Sequence, residues 1–399
     1  MKLDVKNFRS IKDQSVELAP ITVLYGPNGS GKSSLLYALL VMKNIILNPN
    51  RTTSNFFDLG FVNLGSFEAL VHDHRSNEEI LFQSETHRAF GVFNWGVRIG
   101  MQDGVFWLNM ESTGSDPVAL ELPVSFPYRL DISTQQLMNY RELSANIIWD
   151  GINARPESAG TSDHDKESAS TLASILNSPV EEMRNIGAVP LHRGFLRDSY
   201  SMAPVSPALV TEDEIATLLA HDRYLVARVS RYLERITGRE LRVNFTPGTS
   251  IFTLDVAERS TGVGTEIVND GFGVNQVAWL LARALHGKTN WICVEEPETH
   301  LHPSSIRELV KTLVEIMHDE QKRFLFTTHS EVFALAILSE VARGHLKPED
   351  VTFYLTTKEG KETRFERQEI NKHGQIEGGL TSFMEGELED LAILYGETN

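Results

Sequence analysis

One stretch restricts the fold more than any other: residues 21–36, Ile-Thr-Val-Leu-Tyr-Gly-Pro-Asn-Gly-Ser-Gly-Lys-Ser-Ser-Leu-Leu. Ile21 to Tyr25 is an unbroken apolar run with β-branched residues, the character of a strand. Gly26-Pro27-Asn28-Gly29-Ser30-Gly31-Lys32-Ser33 then fits G-x-x-x-x-G-K-[ST], and a helical pattern opens at Ser33. Glycines let the backbone wrap closely enough to aim its N–H groups at phosphate oxygens. The helix N-terminus adds partial positive charge to the same anion. The expected phosphate-binding residues are Asn28, Gly29, Ser30, Gly31, Lys32, Ser33 and Ser34. Lys32 reaches the terminal phosphates, and the Ser33 hydroxyl is placed to ligate Mg²⁺. The full motif in its strand-and-helix context argues against a Gly-rich turn that merely joins strand to helix.

Composition narrows the class. At 399 residues the chain has room for two or three domains. It is 41% hydrophobic and 23% charged, and no apolar stretch approaches the ~18 residues of a membrane span. Met1 to Lys12 alternates charged and apolar residues and lacks a signal-peptide pattern. One cysteine, Cys293, excludes an internal disulfide and fits a reducing cytoplasm; its apolar neighbours mark a core residue, not a nucleophile. A net charge of −17 argues against a protein that coats nucleic acid. A local basic patch stays open as a contact, because charge acts over a Debye length of about 10 Å.

Along the chain, strands are expected at Lys2–Phe8, Gln14–Leu18 and Ile21–Tyr25, then a helix to about Ile46, stopped by Asn48-Pro49-Asn50. Short apolar runs between Glu79 and Ile132, separated by polar and Gly/Asp punctuation, indicate an antiparallel β region. Residues 154–170 are the most loop-like and are expected to be mobile. Thr211-Glu212-Asp213-Glu214 is a capping box that opens a helical stretch to Ile236. On its second half Arg228, Arg231 and Arg235 form a stripe, either a solvated face or a DNA or partner contact. Apolar runs at Trp291–Val294, Arg323–Thr327 and Val351–Thr356 alternate with helical segments, which implies a parallel sheet of βαβ units.

Two of these runs end in chemistry. Trp291-Ile292-Cys293-Val294 delivers Glu295 and Glu296 at a strand's C-terminal end, where an α/β nucleotide site needs carboxylates. Glu295 is the expected Mg²⁺ ligand and Glu296 the residue that orients or deprotonates the attacking water. Arg323 to Thr328 delivers His329, placed to sense a γ-phosphate. Asn269-Asp270-Gly271-Phe272-Gly273-Val274-Asn275-Gln276 leads into a helix and makes a second anion-binding end.

Together these residues resemble the ATP-binding-cassette type of ATPase head, in the RecF/SMC/OLD-like branch of small AAA_15/AAA_21-type ATPases. Lys6-Asn7-Phe8-Arg9-Ser10-Ile11-Lys12 is similar to the branch's opening. Glu295-Glu296-Pro297-Glu298-Thr299-His300-Leu301-His302-Pro303 resembles its Walker B and D-loop, and Thr327-Thr328-His329-Ser330 its switch histidine. The resemblance implies an α/β P-loop head with an antiparallel β subdomain and an inserted, mostly helical subdomain. The boundaries expected are 1–135 and 241–360 for the two parts of the head, 136–240 for the insertion and 361–399 for an acidic tail. It also implies two heads sandwiching two ATP molecules. Gly271, Gly273 and Gln276 of the signature loop then reach the partner's ATP, Glu296 and His329 are catalytic, and Ser33 and Glu295 hold Mg²⁺. The signature departs from Leu-Ser-Gly-Gly-Gln, and Gly65-Ser66 and Gln83 are alternative candidates for the glutamine loop. Arg193 fits a nucleotide or interface contact and a plain loop arginine equally.

The expected function is therefore a cytoplasmic, ATP-hydrolysing protein that forms a homodimer or a higher oligomer. It would regulate a separate, nuclease-like effector in anti-phage defence or DNA repair. The alternatives are a non-hydrolysing ATP-dependent DNA-binding or scaffold protein and, less in keeping with the motifs, a transporter ATPase subunit.

Overall fold

The structure, a computed structural model, describes residues 1–112, 116–128, 133–140, 143–157, 163–206, 211–377 and 379–380. The chain forms two compact units. One takes Met1–Leu18, Ser33–Ile186 and Lys358–Arg364; the other takes Ala19–Lys32, Gly187–Thr357 and the chain from Phe365 on. These divisions fall elsewhere than the boundaries at 135, 240 and 360 read from the sequence. Most of the tail expected over 361–399, from 381 on, lies outside the described residues.

The first unit opens with the hairpin β1 (Lys2–Phe8) and β2 (Ile11–Glu17). The next strand, β3 (Ile21–Tyr25), belongs to the second unit and leads to α1 (Lys32–Leu47). After the single turn α2 (Phe67–Leu70) come β4 (Ile80–Arg88), β5 (Gly91–Ile99), β6 (Asp103–Glu111) and β7 (Val118–Ser125). They pair antiparallel in the order β2-β1-β4-β5-β6-β7, as the punctuated apolar runs implied. Strict alternation of buried and exposed residues along β7 marks one face turned to the core.

The segment read as mainly helical begins with strands. β8 (Thr134–Tyr140), β9 (Leu143–Trp149) and β10 (Ala154–Pro156) form a three-stranded antiparallel sheet. The 22-residue α3 (Asp163–Arg184) packs on β9 and β10. The loop expected over 154–170 is corrected accordingly: it begins as strand and is helical from Asp163, while 158–162 lie outside the described residues. The helix's polar first turns carry little periodic signal; Ala169, Leu172, Ala173 and Leu176 bury the face that decides the structure.

The second unit holds most of the sheet β11-β16-β17-β3-β18-β19, and α4 to α8. In chain order its parts are β11 (Ile186–Val189), β12 (Tyr200–Ser201), α4 (Glu212–His221), α5 (Arg223–Thr237), β13 (Arg239–Phe245), β14 (Ile251–Glu258), β15 (Gly264–Glu266) and α6 (Phe272–Ala284). Then follow β16 (Trp291–Glu295), α7 (Pro303–Glu320), β17 (Arg323–Thr328), α8 (Glu331–Ala342), β18 (Val351–Glu359) and β19 (Glu362–Gln368). β16, β17, β3 and β18 run parallel. Every residue of β3 and β16 is buried, which is why both read as unbroken apolar runs without alternation.

The capping box at Thr211 forms: its hydroxyl accepts the Glu214 N–H, and Glu214 accepts the Thr211 N–H at 2.9 Å. The helix it opens ends at His221, short of the Ile236 expected from the pattern. Asp222 accepts the N–H groups of Tyr224 and Leu225 and caps a new helix there. Among the described residues no helix is long and apolar enough to cross a membrane.

Candidate nucleotide site

Sheet register assembles the site. Glu295 stands beside Thr327, Thr328 beside Tyr25, and Tyr25 beside Leu355. The C-terminal ends of β16, β17 and β3 therefore lie level. The chain leaves that edge as the Glu295–Glu296 turn, as His329 and as the loop at Gly26. This is where an open parallel sheet binds ligands.

In the loop, Gly26, Gly29 and Gly31 adopt φ of 141°, 73° and 105°. At Gly26 a Cβ would come within 2.3 Å of the Thr356 carbonyl oxygen, so no side chain fits. Lys32 is buried and donates to the carbonyls of Gly26 and Pro27, each at 2.9 Å, with His329 Nδ1 at 3.4 Å. Burial pulls its pKa down to about 8, against the opposing pull of Glu296 and Glu298. His329 Nε2 lies 3.5 Å from Glu296 Oε1. Burial and then the Lys32 charge lower the histidine pKa, against Glu296 and the Gly26 carbonyl, so the ring is neutral near pH 7. A cation, a neutral imidazole and a carboxylate thus form one chain at the edge of the sheet.

Two further groups stand at this edge, of which Glu298 had no role from sequence. Glu298 Oε1 accepts the Thr328 hydroxyl at 2.6 Å and the His329 N–H at 3.2 Å, while its buried Oε2 has no hydrogen-bond partner. Burial raises its pKa, hydrogen bonds oppose this, and Glu296 adds to the rise. The second group is Arg193, read from sequence as a nucleotide, interface or loop arginine. It is buried, and its guanidinium donates to the carbonyls of Pro190, Glu295 and Glu296 at 3.0, 2.8 and 3.1 Å. Burial lowers its pKa only to about 10, with Glu298, Glu295 and Glu296 opposing, so it stays charged. The third carboxylate of Glu295-Glu296-Pro297-Glu298 was a visible signal for Glu298. The sequence singled out Arg193 without deciding its role, because its two glutamate partners lie about a hundred residues downstream.

The segment expected as a signature loop forms the start of α6. Gly271 and Phe272 are exposed, and the Phe272 ring lies 5.6 Å from that of His300. Gly273 packs where a Cβ would meet the His300 carbonyl at 2.6 Å. Asn275 and Gln276 are buried. Of the glutamine-loop candidates, Gln83 lies on β4 and donates to Asp4, and Ser66 precedes α2. Asn28 and Gly29 are exposed, Ser30 and Ser34 buried, and Ser33 follows Lys32 in the first turn of α1. Among the described residues no group of three or more His, Cys, Asp or Glu side chains is arranged to hold a metal.

The arginine stripe, read from sequence as a solvated face or as a DNA or partner contact, lies along α7. Arg228 pairs with Glu320, Arg235 with Glu315 at 2.6 Å and with Thr312, and Arg231 with Glu315 at 3.9 Å. Each meets a carboxylate of α7, so the row joins α5 to its neighbour; Arg231, sharing Glu315 with Arg235, stays 67% exposed.

The family model AAA_15, described as an AAA ATPase domain, matches residues 1–85 and 155–334. The OLD nuclease of Thermus scotoductus (strain ATCC 700910 / SA-01) is 22% identical over 345 residues, covering 84% of this chain and 59% of that protein. The chain thus spans about three fifths of that relative's length. Among solved structures, the SMC head bound to the C-winged helix domain of ScpA aligns at TM-score 0.48 and 13% identity over 92% of this chain and 97% of that one. The SMC head domain from Thermotoga maritima aligns at 0.41 and 10% over 91% and 97%.

Proposed function

The chain belongs to the AAA_15 family of AAA ATPase domains, and on that premise we propose that it binds and hydrolyses ATP with Mg²⁺. The observation that carries this reading is the run Lys32, His329, Glu296 at the C-terminal edge of the sheet, with separations of 3.4 and 3.5 Å. Glycines with backbone donors, one lysine and a helix start suit a triphosphate's charge. The Ser33 hydroxyl and Glu295 would hold Mg²⁺, which would supply charge neutralisation at the phosphates.

The residues then divide the labour. Lys32 binds the terminal phosphates. Glu296 orients a water and takes its proton as the water oxygen bonds to the γ-phosphorus. The bond to the β–γ bridging oxygen breaks and the electron pair leaves with ADP. Neutral His329, between Lys32 and Glu296, donates to a γ-phosphate oxygen. We further propose that two copies sandwich two ATP molecules. The exposed start of α6 (Gly271, Phe272) faces the partner's nucleotide, with Gly273 and Gln276 further in. The assembled pair acts on an effector; kinship with an OLD nuclease supports one of nuclease type, in anti-phage defence or DNA repair.

Glu296→Gln should lower phosphate release by about 10²–10⁴-fold and give an ATP-bound dimer by light scattering. Lys32→Ala should abolish nucleotide binding in calorimetry. A Glu296→Gln protein that stays monomeric in saturating Mg-ATP overturns the sandwich, and unchanged phosphate release overturns the catalytic assignment.

A further inference from the structure

Glu296 does not hold its own conformation. Its φ is 43°, a left-handed backbone that a non-glycine residue keeps only when its surroundings impose it. The surroundings are visible. The Glu296 N–H donates to the Thr327 carbonyl at 2.9 Å, and its carbonyl accepts the Thr299 N–H, the Thr299 hydroxyl and Arg193 Nη2. Arg193 Nη1 takes the Glu295 carbonyl. A planar guanidinium with donors in a fixed fork ties two successive carbonyls at a set spacing.

Arg193 is itself held from elsewhere. Its loop is pinned by the side chain of Asn275, in the first turn of α6. Asn275 Oδ1 accepts the Phe195 N–H at 2.6 Å, and Nδ2 donates to the Phe195 carbonyl at 2.8 Å. This amide imitates a strand partner, and it satisfies both backbone groups of a buried residue 80 positions away. Between the two lies Gly194, where a Cβ would stand 2.9 Å from Asn275 Oδ1. Gly194 has a φ of 135° as well, so that approach suits glycine.

We propose that Asn275 and Arg193 are positioning residues acting in series. The start of α6, through Asn275, the 193–195 segment and the Arg193 fork, sets the backbone of Glu295–Glu296 and so the direction of the Glu296 carboxylate. Neither residue needs to touch nucleotide. The inference rests on the catalytic reading of Glu296 given above, and it adds that the helix turn beginning at Gly271 is mechanically continuous with the catalytic carboxylate. That turn is the exposed one.

The test uses the full chain with two conservative changes, Arg193→Lys, which keeps charge and loses the fork, and Asn275→Asp, which keeps shape and turns the Phe195 carbonyl contact repulsive. Each should lower kcat for phosphate release by roughly 10–100-fold and leave ATP affinity, read by calorimetry, within about threefold. The double variant should be no slower than the worse single one, because both act on one turn. Amide exchange read by mass spectrometry should show lost protection of the Glu296 and Thr299 N–H groups in both variants and unchanged exchange in β13 and β14. Multiplicative kcat losses in the double variant would overturn the series arrangement. Unchanged Glu296 and Thr299 protection would overturn the proposal whatever the turnover. A wild-type protein that releases no phosphate refutes the catalytic reading instead, and the exchange measurement still decides the positioning.

Discussion

Two groups of cations in the second unit meet opposite fates. Arg228, Arg231 and Arg235 line one face of α5 and meet carboxylates of α7 near the surface. Arg193 and Lys32 sit alone in sequence, are buried, and meet backbone carbonyls at the edge of the parallel sheet. A surface ion pair is screened by water and salt, and each partner survives the loss of the other with modest cost. A buried cation on carbonyls has no such substitute, because its removal leaves desolvated acceptors unpaired. Clustering in sequence thus marked arginines that pair along α7, and the isolated cations are the ones that stand at the candidate site.

The contrast is sharpest for Arg193→Met. Three carbonyls lose their donor, and a loss of roughly 3–5 kcal/mol in urea unfolding is expected, with turnover falling further than in Arg193→Lys. A cost below about 1 kcal/mol would place Arg193 with the surface group.

Lys32 offers a pH test. Its pKa near 8 lies well below the 10.5 of an exposed lysine. The unfolded chain therefore binds more protons between these values, and this group makes stability rise with pH from about 8 to 10.5. Below about 8 that contribution is lost, because the buried ammonium must carry its charge. ATP affinity should move the other way. It should fall by up to about tenfold per pH unit above 8 as the cation is neutralised. Calorimetric titrations with Lys32→Arg should be flat over the same range. A wild-type affinity constant to pH 10 would assign Lys32 to the exposed class.

The smallest effects belong to the stripe. Arg228→Ala, the least exposed of the three, should cost about 1 kcal/mol; Arg231→Ala should cost a few tenths, and both losses should shrink in high salt. Neither should alter phosphate release. Charge reversal of all three should leave DNA affinity in a filter-binding assay where it was, and a clear loss would make the stripe a nucleic-acid contact.

Much of the site was legible before any fold. Gly26–Ser33, Glu295, Glu296 and His329 are local patterns: a loop that must approach an anion needs consecutive glycines, and a carboxylate needed at a strand end follows its apolar run directly. The antiparallel strands from Ile80 to Ser125 were legible as short apolar runs with polar and Gly/Asp punctuation between them. The break at Asp222 was missed because α4 and α5 continue one apolar spacing, although aspartate is a capping residue.

What the chain determined by itself was the inventory: a phosphate loop, two carboxylates and a histidine, each at the end of a strand that had to be buried. Tertiary structure decided which groups meet. Strand order put β17 between β16 and β3, and so set His329 between Glu296 and Lys32. Arg193, Asn275 and Glu298 acquired their places only there. Their partners are mostly backbone atoms of distant segments, and a backbone carbonyl leaves no trace in the identity of the residue that carries it.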